Sequence, residues 1–257
     1  MSAIAIKNLT VKAGAKTLVN GVTLSVEAGT WLTIIGPNGA GKTSLVEAVA
    51  GIRKNDSGSI AITGEDIGGL NERERARLVA LVPQNPLVPS GMSVRDYVAL
   101  GRTAYHGMLR APSAGDRAIV DSVIERLSLQ EFAKRNVATL SGGERQRMVL
   151  ARTLAQSTMV VVLDEPITGL DLRHQMDLLE LLKKEVADCG LTVLATLHDL
   201  TLAGQFADRL VLLDNAQVVL DGTAHEVIRN AELASRYGMQ LRVVDVDGSD
   251  VVVPVRS

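Results

Sequence analysis

Trp31-Leu32-Thr33-Ile34-Ile35-Gly36-Pro37-Asn38-Gly39-Ala40-Gly41-Lys42-Thr43 is the stretch on which the fold turns. Its first five residues are nearly continuous in apolar side chains, which is how a strand buried on both faces of a parallel sheet reads. The next eight fit G-x-x-x-x-G-K-[ST] and follow directly on that strand. Glycines let the backbone wrap closely around phosphate groups with successive N–H groups pointing inward. A helix starting near Lys42 adds the positive end of its dipole. Lys42 is expected to reach β- and γ-phosphates, the Thr43 hydroxyl to ligate Mg²⁺, and Ser44 to complete the loop. Leu45, Val46 and Val49 give that helix an apolar face.

Working outward, Leu78–Val82, Met159–Leu163, Leu191–Leu197 and Leu210–Leu213 have the same buried-strand character. Between the middle two, Leu178, Leu179, Leu182 and Val186 recur at helical spacing. Strand, helix and strand in that order imply a crossover connection and an α/β core. The first sixty-odd residues read differently. Ile4 and Ile6, then Val22, Leu24 and Val26, then Ile60 and Ile62 alternate with small or polar residues, as half-buried antiparallel strands do. From about 86 to 158 the apolar residues (Ile119, Val123, Ile124, Leu127) follow helical spacing, which predicts a helical insertion. The tail carries Val243, Val244 and Val246, then Asp247-Gly248, then Val251–Val253, a hairpin signal.

Two further motifs sit on this frame. Asp164-Glu165 closes a buried strand, at the carboxyl edge where open α/β sheets gather ligands. Asp164 could hold Mg²⁺, and Glu165 could accept a proton from an attacking water. An isolated acidic pair there is more often a loop or helix cap, but a phosphate loop in the same sheet reverses those odds. Ser141-Gly142-Gly143-Glu144 stands in capping-box register, so a helix starts at Ser141. Its two glycines leave the first N–H groups uncovered, which makes either a second anion site or simply a capped surface helix.

With those residues in place, the chain resembles the ATPase module of ATP-binding cassette (ABC) proteins over nearly its whole length. The resemblance rests on the phosphate loop 36–43, on Leu140-Ser141-Gly142-Gly143-Glu144-Arg145-Gln146-Arg147, and on the strand-borne Asp164-Glu165, in the family's order. It implies that Gln84 is the Q-loop glutamine that contacts Mg²⁺. Gly169-Leu170-Asp171 would be the D-loop, and His198 the switch histidine that contacts the γ-phosphate. Taken alone, Gln84 would be a loop residue and Asp171 or Asp199 a helix N-cap. His106, His174 and His225 read as structural. The resemblance also implies a head-to-tail homodimer, in which Ser141, Gly142, Gly143 and Glu144 of one copy meet ATP held by the other.

The fold expected is therefore α/β. It has a P-loop NTPase (ABC ATPase) core, an antiparallel β subdomain and an inserted helical subdomain, all within one domain, 1–257. The core and β subdomain would take 1–85 and 159–225, the helical signature subdomain 86–158, and a tail with a small hairpin 226–257. A chain of 257 residues buries roughly three-quarters of its unfolded surface and needs no staples. The lone Cys189 suggests a reducing compartment. A net charge of −2 argues against a nucleic-acid binder relying on bulk positive charge. No apolar run approaches the roughly 20 residues that span a bilayer, and the N-terminus lacks a signal-peptide pattern. The expectation is a chain at the cytoplasmic face of the membrane, acting through permease partners contacted at about 84–110.

Exporters usually fuse membrane spans to the ATPase, translation-associated members usually carry two cassettes, and DNA-repair relatives separate their motifs with coiled coils. None of these features is found. Met92–Arg102, His198-Asp199-Leu200, Ala207-Asp208-Arg209, Gly222-Thr223 and the short tail look like the importer branch for iron-siderophore, haem and vitamin B12. An extracytoplasmic solute-binding protein would be an indirect partner. An importer ATPase for another solute, a non-transport ABC ATPase and a binding-only cassette stay open. Trp31, Tyr97, Tyr105, Phe132, Phe206 and Tyr237 are the only aromatic residues. Family members commonly stack adenine on an early-strand ring, yet Ala13 stands there. Lys12, Ala13 and Val19 are expected to offer only aliphatic contact to the base, and Trp31 to pack in the core.

Overall fold

The computed structural model describes residues 1–106 and 111–255, with side chains omitted at His106. Residues 107–110, at the end of the stretch expected to meet a permease, and the side chain of His106 lie outside the described residues. The predicted alternation at the N-terminus builds a four-stranded antiparallel sheet from β1 (Ser2–Ala13), β2 (Lys16–Glu27), β4 (Ser57–Ile62) and β5 (Glu65–Asp66). Its order is β2-β1-β4-β5. Ile4, Ile6, Val22, Leu24, Val26, Ile60 and Ile62 face inward and are buried.

β3 (Trp31–Ile35) belongs to the second sheet, of order β10-β9-β3-β8-β7-β6. Here β6 is Val79–Val82, β7 Val160–Asp164, β8 Thr192–Thr196, β9 Arg209–Asp214 and β10 Gln217–Thr223. The five strands from β9 to β6 run parallel, and β10 pairs antiparallel with β9. All five residues of β3, β7 and β8 are buried. Side chains alternate across a strand, so the sheet divides the core in two. Trp31, Ile35, Val161, Leu163, Val193 and Ala195 join one cluster, with helices; Leu32, Ile34, Val160, Val162 and Leu194 join the other, with the antiparallel sheet. Leu78 ends the helix before β6 and Met159 precedes β7, so both expected strands start one residue later. Burial explains the shift: Val79 and Val160 are covered, whereas Met159 is 55% exposed.

α1 (Lys42–Val49) lies on the cluster of the antiparallel sheet. α2 (Glu72–Leu78) leads into β6. Helices follow through the expected insertion: α3 (Val94–Ala99), α4 (Thr103–His106), α5 (Ala114–Arg126) and α6 (Gly142–Ala155), with no strand between them among the described residues. α7 (Leu172–Cys189) connects β7 to β8 and buries Leu178, Leu179, Leu182 and Val186, the four residues that predicted it. α8 (Leu200–Phe206), α9 (Ala224–Ile228) and α10 (Ala231–Tyr237) complete the α-helices among the described residues, and β11 (Gln240–Val246) with β12 (Ser249–Val255) forms the predicted tail hairpin. Trp31 is fully buried, 6.1 Å from the Phe206 ring between centroids, with its indole N–H donated to Thr33 Oγ1. It is a core residue, as the sequence implied.

A buried ion pair fixes the far end of α6. Arg102 Nε donates to Asp116 Oδ1 at 2.9 Å, and Arg102 Nη1 donates to the Ala155 carbonyl at 2.9 Å. The guanidinium also lies 3.9 Å from the centroid of the Tyr105 ring. The Ser113 hydroxyl, then Arg102, holds the Asp116 carboxyl well below the usual range. A lowered folded pKa contributes stability that is complete above the unfolded value, about 3.9, and is lost as pH falls through the folded one. Arg102→Ala is expected to cost about 3 kcal/mol at neutral pH by stranding Asp116. Denaturant melts should show that deficit shrinking below about pH 4, as Asp116 is protonated; a pH-independent deficit would exclude this cause.

Candidate functional site

The site begins where β3 leaves the sheet. Gly36 has φ 147°, and a Cβ there would stand 2.0 Å from the Leu213 carbonyl oxygen. Gly41, the N-cap of α1, has φ 107° and would place a Cβ 2.1 Å from the Leu18 carbonyl oxygen. Only glycine suits either position. The chain wraps between them so that Lys42 Nζ donates to the Gly36 carbonyl at 2.7 Å and the Pro37 carbonyl at 3.1 Å. Lys42 is 6% exposed. Burial lowers its pKa, while the nearby Glu165 and Asp164 carboxylates act in the opposite sense. No side chain caps α1 and no acidic residue occupies its first turn. Its leading N–H groups are thus left for an anion.

β7 delivers the two carboxylates. Asp164 is 3% exposed and accepts from Thr196 Oγ1 at 2.7 Å and Thr43 Oγ1 at 3.4 Å. Burial raises its pKa, and these two hydroxyls resist that shift. Glu165 follows with φ 49°, a turn that sends its side chain out of the sheet, and its N–H donates to Thr196 Oγ1 at 2.9 Å. Gln84 Nε2 donates to Glu165 Oε2 at 2.6 Å, Thr168 Oγ1 reaches the same oxygen at 3.3 Å, and His198 Nε2 bonds Glu165 Oε1. These bonds require the His198 Nε2–H tautomer when Glu165 is ionised.

Phosphate-loop residues 38–44 (Asn38, Gly39, Ala40, Gly41, Lys42, Thr43 and Ser44) line one cleft with Glu165 and His198. Gln84 and Asp164 join through Glu165 and Thr43. Larger cavities exist elsewhere, but this cleft brings together a buried lysine, the Glu165 carboxylate, a histidine and free helix N–H groups, with Asp164 behind Thr43. The arrangement can cradle a polyphosphate and present a carboxylate to a water beside it.

The remaining predicted residues form a separate cluster. Ser141 N-caps α6: its Oγ accepts the Glu144 N–H at 3.3 Å, and Glu144 Oε2 accepts the Ser141 N–H at 2.8 Å. That second bond comes first in holding the Glu144 carboxyl low. Asp171 N-caps α7 through the His174 N–H and bonds His174 Nδ1 at 2.8 Å. The His174 ring fills the space where a Gly143 side chain would go, 2.1 Å from that Cβ. Ser141, Gly142, Gly143, Glu144 and Asp171 do not line the phosphate cleft. His225 bonds Asp250, tying α9 to the hairpin.

Val19 is fully buried in the core, so its expected contact with a nucleotide base is overturned. Strand alternation turns it inward and leaves Lys16 and Leu18 on the cleft. Lys12 and Ala13 are exposed on β1. Sequence reading missed Lys16, Leu18, Thr168 and Thr196. Thr196 had a legible signal, a hydroxyl at the carboxyl end of a mostly apolar strand, one strand from Asp164.

A sequence profile for the ABC transporter family matches residues 19–168. Among curated relatives, the achromobactin transport ATP-binding protein CbrD of Dickeya dadantii (strain 3937) is 36% identical over 244 residues, 95% of this chain and 91% of the relative. The ferric enterobactin transport ATP-binding protein FepC of Escherichia coli is 35% identical over 97% of this chain and 93% of its own. The hemin import ATP-binding protein HmuV of Bradyrhizobium diazoefficiens is 36% identical over 96% and 93%. Among solved structures, a metal-chelate type ABC transporter in an inward-facing conformation superposes with TM-score 0.86 at 25% identity, covering 100% of this chain and 98% of that one. A dimeric ATP-binding cassette in a post-hydrolysis state, bound to ADP and Pi, gives 0.75 at 26% identity over 86% and 98%.

Thr196 holds both Asp164 and the Glu165 amide, so Thr196→Val should leave the Glu165 N–H without its hydroxyl partner and Asp164 with only the longer Thr43 bond, while keeping the side chain's shape. We expect a loss of about 1–3 kcal/mol in urea unfolding; unchanged stability would remove Thr196 from this role.

Proposed function

This chain belongs to the ABC transporter family, and on that premise we propose that it is the ATP-hydrolysing subunit of an importer for iron-siderophore or haem. The convergence of Lys42, Thr43, Asp164, Glu165 and His198 on one cleft carries the reaction. The names of the relatives, an achromobactin-transport protein, a ferric enterobactin-transport protein and a hemin importer, support the solute class.

In this reading Gly36–Ser44 cradle the triphosphate, with Lys42 moving from the Gly36 and Pro37 carbonyls onto the β- and γ-phosphates. His198 contacts the γ-phosphate. Glu165, oriented by Gln84 and Thr168, takes the proton of a water that attacks the γ-phosphorus. The bond to the β-phosphate oxygen breaks, leaving ADP and inorganic phosphate. Mg²⁺ fits the donor set. Thr43 Oγ1 and Asp164 Oδ1 lie 3.4 Å apart, both are hard oxygens, and the amide oxygen of Gln84 is left over when its nitrogen holds Glu165. Among the described residues no cluster of three His, Cys, Asp or Glu forms a dedicated metal cage. That suits an ion which keeps its waters and shares the substrate's phosphates. Bound there, Mg²⁺ would neutralise charge on those phosphates.

A second copy of the chain would supply Ser141, Gly142, Gly143, Glu144 and Asp171 to the same ATP. The N–H groups of α6 would face the γ-phosphate, stabilising the charge that develops in the transition state. The separation of that cluster from the phosphate cleft within one chain supports this reading. The division into a core with β subdomain (1–85, 159–225), a helical subdomain (86–158) and a tail (226–257) follows from the same proposal. Permease subunits would be met at about 84–110, where Leu87 is 89% exposed. No helix of the described residues is long and apolar enough to cross a membrane, so the work at the cytoplasmic face would pass through those subunits. A solute-binding protein would act indirectly on the other side, and no nucleic acid takes part.

Glu165→Gln is expected to lower turnover by at least about a hundredfold, the scale of a general base, while equilibrium ATP binding stays intact. Near-normal phosphate release by that variant would refute the role. Mixed dimers of wild type with Gly142→Asp should lose turnover, because the new carboxylate faces phosphate; undiminished activity in them would sink the head-to-tail arrangement. With Ala13 standing where family members commonly carry a ring, competition between ATP and GTP should show little discrimination, and a strong ATP preference would count against aliphatic base contact.

A further inference from the structure

The tail has no role in the chemistry above, yet α10 touches the root of the phosphate loop. Two successive residues at its end reach the two strands flanking that root. Arg236 Nη1 donates to Asp214 Oδ2 at 3.2 Å, at the end of β9. The Tyr237 hydroxyl accepts the Gly36 N–H at 2.9 Å, at the end of β3. Gly36 is thereby held from three directions. The Leu213 carbonyl leaves no room for a side chain on the side of β9, the tyrosine holds its N–H, and its own carbonyl receives Lys42 Nζ at 2.7 Å. A single residue therefore separates the C-terminal segment from the buried lysine.

The hydroxyl is not needed to attach the tail. Leu233, 1% exposed, with Val227 and Ile228, already anchors α9 and α10 in the main core. The Tyr237 ring packs against that core as well. Burial pushes its phenol up to about 12, so it stays a neutral hydroxyl across the working range. Among the described residues, it makes the tail's only side-chain hydrogen bond to residues 36–43. Without it, the Gly36 N–H would face the end of a phenylalanine-like ring with no partner.

We infer that Tyr237 is a positioning residue for nucleotide binding: its hydroxyl fixes the Gly36 peptide and, through the Gly36 carbonyl, the resting place of Lys42. The C-terminal segment thus sets the shape of the phosphate loop before nucleotide arrives. The inference rests on reading residues 36–43 as the nucleotide cradle. Loss of the hydroxyl should weaken ATP in the ground state and transition state alike, because the loop grips the phosphates in both.

Tyr237→Phe keeps the ring and removes the bond. In the full-length chain, KM for MgATP and the Kd of a fluorescent ATP analogue should rise about three- to tenfold, the worth of one hydrogen bond, with kcat within twofold. Amide exchange at Gly36, measured without nucleotide, should accelerate by a similar factor. Unchanged KM, Kd and Gly36 exchange would overturn the inference. So would kcat falling in step with a lower melting temperature at constant KM, because that pattern marks a merely structural tail. If wild type itself fails to bind MgATP, the ATPase reading fails, and Gly36 exchange still decides whether Tyr237 holds the loop.

Discussion

The molecule depends on the register of three adjoining parallel strands. Ile34 pairs with Thr196, and Thr196 pairs with Asp164, so β3, β8 and β7 end at one level. The phosphate loop, the Asp164-Glu165 pair and His198 therefore leave the sheet side by side. A slip of one residue would turn every buried side chain to the opposite face. Alternate residues of each strand serve two different core clusters, so such a slip would break both. The register is fixed by burial, and the site inherits its precision from the core.

Around that edge, charge is placed where water is scarce. Lys42 sits almost fully buried, its ammonium satisfied by two backbone carbonyls. Asp164 is equally buried and shares its oxygen with two hydroxyls. Both side chains feel burial pressing against their charged forms, in opposite directions of pKa. Removing a charged group from water costs several kcal/mol unless partners compensate. An arriving polyphosphate would give Lys42 stronger partners than neutral carbonyls, which makes the cleft selective for anions.

The glycine-rich start of α6 belongs to a second arrangement. Its capping box is complete without any ligand, and the His174 ring ties it to the start of α7. Gln146 adds a bond to the Pro166 carbonyl, between the acidic pair and that helix. The cluster is thus mechanically linked to the strand bearing Glu165 while standing outside its cleft.

Much of this was legible in the chain. Buried strands, the glycine loop, the capping box at Ser141 and the hairpin around Asp247-Gly248 are local patterns, set by side-chain spacing within a few residues. Gly36 and Gly41 could be read as needed for phosphate approach. Their intolerance of any side chain comes from the carbonyls of Leu213 and Leu18, far away in sequence. The direction of Val19, the two bonds of Thr196 and the reach of Tyr237 to Gly36 were decided only by tertiary structure. Each depends on which face of a strand or helix meets a distant segment, and no local periodicity encodes that partner. The sequence by itself determined the elements and the chemical groups they carry; the packing of the sheet determined which of those groups touch.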